Sequence, residues 1–200
     1  LFLVPKILVN DDGSLGDRNG VNCVSIEEKM GVHGSPTCVL SFEESLGYLV
    51  GEPHKGLEAM FSMMNNERIA VGMQGLGVAE ISYQNALLYA KDRLQGRDLK
   101  GAKKPSEEAD PLLVHPDIRR MLLRAKALID SSRMLSAWTA LAIDRSVKDP
   151  DEKVRKANND LVELMTPIIK SILTDYGVEI SSEMLQIFGG HGYILSLIHI

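Results

Sequence analysis

Along the chain, short apolar runs give way to long helical periods. Leu1–Val4, Ile7–Val9, Val21–Ile26, Cys38–Phe42 and Tyr48–Val50 are separated by turn clusters such as Asn10-Asp11-Asp12-Gly13 and Gly34-Ser35-Pro36. Runs of this length between such turns predict β-strands over residues 1–55. Thr37-Cys38-Val39-Leu40-Ser41-Phe42 alternates as a strand with one wet face does. From Gly56 the period lengthens: Leu57, Met60, Phe61 and Met64, then Ile69, Met73 and Leu76, recur at helical spacing up to about Leu94. Gly72, Gly75 and Gly77 interrupt this helix. Glycine costs up to ~1 kcal/mol relative to alanine in a helix, so a close approach of another backbone or a ligand is expected there. Gly96 stands where a C-cap belongs, and residues 97–114, with Gly101, Pro105 and Pro111, read as a long loop.

A second helix is expected from Pro116 to about Val147, with Ile118, Met121, Leu122, Ala125, Leu128 and Ile129 on one stripe. Asp149-Pro150-Asp151-Glu152 then reads as an N-cap, a proline at the first helical position and an acidic first turn. A third helix would run to about Leu164. Pro167 predicts a break, and a fourth helix would extend to Phe188, with Gly177 tolerated or marking a kink. Four long amphipathic helices with mostly short connections predict an antiparallel four-helix bundle after a partial β-domain.

Composition narrows the function classes. Hydrophobic residues make up 44% and charged residues 24% of the 200, which excludes a disordered, collagen-like or disulfide-scaffold chain. With 22 basic and 27 acidic residues the formal charge is −5, which argues against nucleic acid as a partner. The strand region is acidic as well, with eight acidic against four basic side chains, so its polar face is expected to be solvated. Apolar runs stay far short of the ~18 residues of a helical membrane span. Cys23 and Cys38 have no metal-ligand spacing and read as free thiols of a reducing, cytoplasmic compartment. His33, His54, His115 and His191 show no ligand pattern either, so no metal is expected. Trp138 and most of the nine methionines fall at core-like helical positions.

Four segments in order resemble the acyl-CoA dehydrogenase family. They are Glu28-Lys29-Met30-Gly31-Val32-His33-Gly34-Ser35-Pro36-Thr37-Cys38, Asn65-Asn66-Glu67-Arg68-Ile69-Ala70-Val71-Gly72, Lys91-Asp92-Arg93-Leu94-Gln95-Gly96-Arg97 and Gln186-Ile187-Phe188-Gly189-Gly190-His191-Gly192-Tyr193. The Gln-Gly-Arg form of the third segment, with the long loop after it, looks most like the branch acting on 3-methylmercaptopropionyl-CoA. The resemblance implies an α+β fragment: residues 1–55 as the end of a β-barrel-like middle domain, and residues 56–194 as an incomplete helical C-terminal domain. Leu195-Ser196-Leu197-Ile198-His199-Ile200 matches what a transposase-type sequencing adapter encodes in one frame, so a non-native tail is expected at 195–200.

The implied reaction takes the α-proton of an acyl-CoA thioester to a carboxylate and passes the β-hydride to FAD, giving a 2,3-enoyl-CoA. The site must stabilise the developing enolate and desolvate the base. In most of the family the base is a Glu of a Tyr-Glu-Gly-Thr motif about twenty residues past the Gly-Gly turn, and residues 1–200 do not contain that motif. Glu67, directly before Arg68, matches a second placement of the base on the first helix of the C-terminal domain. Its other reading is an acidic first-turn residue that favours the helix dipole. Asn65 and Arg68 match acyl-CoA contacts near the pantetheine end, with a plain surface or ion-paired residue as the other reading for Arg68. Arg93, Gln186, Gly189 and Gly190 match residues that reach the flavin dinucleotide of a neighbouring subunit. Read apart from the resemblance, Arg93 is a dipole-favoured helix terminus and Gly189-Gly190 a cap and turn. An electron-transfer flavoprotein and a homodimer or dimer of dimers follow as expected partners. Lys100, Lys103 and Lys104 read as a solvated loop, with a docking patch for that flavoprotein as the alternative. The isolated 200 residues are expected to be inactive. Two other functions fit the same residues: a flavin-dependent monooxygenase on the same fold, and a non-enzymatic helical interaction module.

Overall fold

The computed structural model describes residues 1–194, so the expected tail at 195–200 lies outside the described residues. The chain divides into two compact units, Leu1–Met64 and the residues from Asn65 onward.

The first unit carries six strands: β1 (Phe2–Leu3), β2 (Ile7–Val9), β3 (Leu15–Arg18), β4 (Val21–Ile26), β5 (Cys38–Phe42) and β6 (Tyr48–Leu49). They pair as three separate antiparallel ribbons, β1 with β6, β2 with β3 and β4 with β5. The described strands form no closed barrel. The ribbons are thin, and both faces stay open: Phe2, Leu3, Leu15, Val24 and Ile26 are all exposed. Asn19 is the one buried side chain of these strands and their turns. Its Nδ2 donates to the Pro5 and Leu46 carbonyls at 2.8 and 2.9 Å, and its Oδ1 accepts from the Leu46 and Gly20 N–H groups at 2.9 and 3.0 Å. One side-chain amide thereby ties together three segments distant in sequence, with every donor and acceptor satisfied. Gly20 follows because a Cβ there would sit 1.8 Å from the Glu43 carbonyl oxygen.

The helices are α1 (Gly56–Asp92), α2 (Pro116–Lys148) and α3 (Glu152–Ile187), with 3₁₀ turns at Leu112–Val114 and Gly189–Tyr193. Three long helices replace the expected four, because Pro167 lies inside α3. Pro167 is exposed, while Met165, Thr166 and Ile169 beside it are buried and carry the helix through the proline. The start of α3 also differs from expectation. Asp151, not Asp149, is the N-cap and accepts from the Lys153 N–H at 2.8 Å, whereas Asp149 closes α2.

From Asn65 onward the three helices run up, down and up around one core of Leu76, Ala79, Ala86, Met121, Leu122, Ile129, Ile169, Leu173, Ile180 and Met184. The α2 stripe is buried as the periodicity predicts, with Met121, Leu122, Ala125 and Ile129 inward. The early α1 stripe is mostly not: Leu57, Met60, Phe61 and Met73 are exposed, and α1 buries Leu76 together with the small residues Gly72, Ala79, Ala86 and Ala90. Trp138, Met63 and Met134 are exposed too, contrary to the expected packing role. Small residues are needed because α1 and α3 cross at backbone contact. A Cβ on Gly75 would lie 2.4 Å from the Leu173 carbonyl oxygen, and one on Gly177 would lie 2.9 Å from that of Gly75. A Cβ on Gly72 would meet the Ile169 side-chain methyl at 3.0 Å, whereas Gly77 faces open space. Gly177 therefore marks a helix crossing. Ion pairs fasten the outside, Arg133 to Glu80 at 2.8 Å between α2 and α1, and Arg124 to Glu179 and Glu183 between α2 and α3.

Candidate functional site

Helix α1 ends when the Arg93 N–H donates to the Tyr89 carbonyl at 2.8 Å and the chain peels away to pair Leu94 with Pro111. Gly96 adopts φ +70°, but four residues past the helix end, so it shapes the loop and does not cap α1. At the matching end of α3, Gly189 at φ +56° turns the chain into its 3₁₀ turn. Gly192 seats that turn against α3, where a Cβ would lie 2.6 Å from the Leu185 carbonyl oxygen.

Between these two helix ends lies a cleft of about 400 Å³ whose lining includes Arg93, Gln186, Gly189 and Gly190. All four residues singled out as cofactor contacts thus meet in one place. A Cβ on Gly189 or Gly190 would touch nothing within 4 Å, so the main chain of both faces open space. The Gln186 Oε1 accepts from the Tyr193 hydroxyl at 2.7 Å, which leaves Nε2 as that side chain's donor. Tyr89 packs on Phe188 with ring centroids 4.6 Å apart, and its hydroxyl bonds His191 Nδ1 at 2.9 Å. A guanidinium, an amide donor and two unshielded glycines beside a stiff aromatic wall suit the phosphate and ribose groups of a dinucleotide. Tyr89 is not singled out by the sequence, and His191 is read there only as a histidine without a ligand pattern. The signal available was the four-residue spacing that stacks Tyr89 and Arg93 on one face of the helix end.

Asn65, Glu67 and Arg68 lie elsewhere. Arg68 Nη1 donates to Asn65 Oδ1 at 3.2 Å, so the two proposed substrate contacts support one another. Glu67 is exposed and has no hydrogen bond or ion pair among the described residues. From Arg68 to the end of α1 at Asp92 the rise of an α-helix gives about 36 Å. Within one chain the two groups are therefore not brought together.

The loop after α1 holds a residue that sequence reasoning missed. Asp110 is fully buried and accepts from the N–H groups of Asp98 at 3.0 Å, Lys103 at 2.9 Å and Lys104 at 2.7 Å, with Arg97 Nη1 at 3.5 Å. These donors, the Asp98 N–H foremost, hold its carboxyl at about 2 despite burial. Among the described residues no group of three or more His, Cys, Asp or Glu could hold a metal ion, and no helix is long and apolar enough to cross a membrane.

The family described as acyl-CoA dehydrogenase, C-terminal domain, matches residues 54–198. The chain is 43% identical over 194 residues to 3-methylmercaptopropionyl-CoA dehydrogenase of Ruegeria pomeroyi, covering 97% of this chain and 32% of that protein. It is 36% identical over 201 residues to a butyryl-CoA dehydrogenase of Syntrophomonas wolfei, covering 96% and 32% respectively. The solved butyryl-CoA dehydrogenase of Megasphaera elsdenii superposes with a TM-score of 0.68 at 27% identity, over 88% of this chain and 40% of that one. The chain spans about a third of the length of the curated relatives named here. A matched helical domain, relatives at these identities along nearly the whole chain and the helix-end cleft converge on one conclusion: the chain belongs to the acyl-CoA dehydrogenase family.

Proposed function

We propose that these residues belong to an FAD-dependent dehydrogenase that converts an acyl-CoA thioester into the 2,3-enoyl-CoA, with a 3-methylmercaptopropionyl-CoA-type substrate. The observation that carries this reading is the convergence of Arg93, Gln186, Gly189 and Gly190 on one cleft. As a chance register in an interaction module, that convergence would have no cause. Arg93 and the Gln186 amide would hold the phosphate and ribose side of the dinucleotide, with the two glycines letting it approach the main chain. FAD, when bound, supplies the acceptor for the hydride leaving the β-carbon.

Asn65 and Arg68 would orient the thioester arm. Glu67 is the candidate base of this chain, and that role requires cover from other parts of the assembled protein, because an exposed carboxylate is too weak a base for an α-proton. The separation of about 36 Å along α1 favours a dimer in which one copy's Arg93 end serves its neighbour's cofactor. Residues 1–55 are read as part of a barrel-like middle domain completed by preceding sequence. A cytoplasmic location, an electron-transfer flavoprotein as acceptor and inactivity of the isolated 200 residues belong to the same reading.

The test uses the full-length protein. Arg93→Ala with Gln186→Ala should purify with less flavin absorbance while circular dichroism stays unchanged. Wild type should reduce an artificial electron acceptor in the presence of 3-methylmercaptopropionyl-CoA. Unaltered flavin content in the double variant would remove the cleft from the reading, and absence of turnover with any acyl-CoA would remove the reaction. Glu67→Gln should abolish turnover and spare flavin binding; retained turnover would demote Glu67 to a structural residue.

A further inference from the structure

A second and larger cleft, of about 630 Å³, lies between α1, α2 and the loop after α1, and its lining shares no residue with the Arg93 cleft. Tyr83, Leu87, Leu113 and Leu122 give it an apolar floor. Its rim carries Lys91, Lys103, Lys104, Arg119 and Lys126 against a single carboxylate, Asp98. Five cations to one anion is an unusual concentration in a chain of formal charge −5. Lys103 leans toward Asp98 at 3.8 Å and Lys126 is tied to Asp130 at 2.7 Å, whereas Lys91, Lys104 and Arg119 have no carboxylate partner among the described residues. Two of the lysines are also held in place: the N–H groups of Lys103 and Lys104 both donate to the buried Asp110, which fixes their backbone at the mouth of the cleft.

We propose that this cleft binds a single-chain anionic amphiphile, with its alkyl chain on the Leu87–Leu122 floor and its phosphate or carboxylate head among the rim cations. Charge complementarity selects the head group, and the apolar floor selects the chain. The volume falls within the ~300–1,000 Å³ typical of small-ligand sites, which favours a discrete molecule over a partner helix. Asp110 acts as a positioning residue here, since it touches the lysine backbones and not the ligand.

Calorimetric titration of the full-length protein with monomeric dodecyl phosphate tests the proposal. One molecule per chain should bind at least tenfold more tightly than dodecyl maltoside or inorganic phosphate. Lys103→Glu with Lys104→Glu should weaken dodecyl phosphate at least tenfold and leave dodecyl maltoside unchanged. Arg119→Glu, at an exposed helical position, gives a second reading should the double variant misfold. Equal affinity for the neutral surfactant would overturn the role of the cations. Inorganic phosphate binding as tightly as dodecyl phosphate would overturn the role of the floor. Undiminished binding in folded charge-reversal variants would place the amphiphile elsewhere and end the proposal.

Discussion

The strand unit and the helical unit are built on opposite plans. From Asn65 onward, three helices bury a continuous set of aliphatic and alanine side chains, and two of them touch backbone to backbone at Gly75 and Gly177. Before Met64, almost every apolar side chain is exposed, and order rests on paired strands and one buried amide, Asn19. Side-chain burial accounts for the helical part; main-chain hydrogen bonding accounts for the strands. The difference teaches that helices of more than thirty residues can close a core among themselves, while two-stranded ribbons need further strands or a covering surface.

This contrast can be broken most forcefully in the helical core. Ile180→Ala or Leu173→Ala should cost about 2–5 kcal/mol, because a cavity replaces a fully buried aliphatic group. Denaturant unfolding followed by circular dichroism at 222 nm measures it, and a loss below ~1 kcal/mol would mean the site collapses freely. Gly75→Ala should cost about 1–3 kcal/mol by forcing α1 away from the Leu173 carbonyl. In the strand unit, Asn19→Ala leaves two carbonyls and two N–H groups without their partner and should cost about 1–3 kcal/mol. Its effect should appear as faster proteolysis before Met64 with no change in helical signal; equal loss of both would contradict two separate plans of stability.

A gentler test is pH. The Asp110 carboxyl lies below its ordinary value of 3.8, at about 2. The unfolded chain therefore binds the proton more readily, and stability rises with pH across that interval. The contribution of Asp110 is fully present above pH 3.8 and is lost as pH falls through about 2. Asp110→Asn should flatten this segment of the Tm-against-pH curve and leave the curve above pH 5 parallel to wild type. The smallest effect belongs to the exposed Lys148–Asp144 pair, where Lys148→Ala should cost about 0.3–0.5 kcal/mol.

Much of this organisation is legible in the residues. The strand runs and the stripe of α2 need only period and punctuation. Leu15-Gly16-Asp17-Arg18 was not legible as β3, since it has a single apolar side chain and is defined by its pairing with β2. Pro167 misled because local backbone chemistry argues for a break, while burial of its flanking residues carries α3 through. The exposed stripe of α1 misled for the complementary reason: Leu57, Met60 and Met73 repeat at helical spacing but stay exposed, and the helix buries Leu76 with alanine and glycine instead. At the candidate site, Arg93, Gln186, Gly189 and Gly190 were readable through their resemblance to a family, and the structure adds that they share a cleft. Asp110 was not readable at all. A lone carboxylate in a polar loop gains meaning only when three backbone N–H groups fold around it.

Helix α1 holds Glu67 and Arg93 at a fixed spacing too long for one ligand to bridge. If each catalytic unit takes its substrate end from one copy and its cofactor end from another, defects in the two ends must complement each other. A mixed dimer of a Glu67→Gln chain and an Arg93→Ala chain would hold one site with both defects and one with none. Each mixed dimer would then recover about half of the wild-type turnover, so co-expression with random pairing restores about a quarter over all dimers, and a rigid rod becomes a genetic bookkeeper of which subunit supplies what.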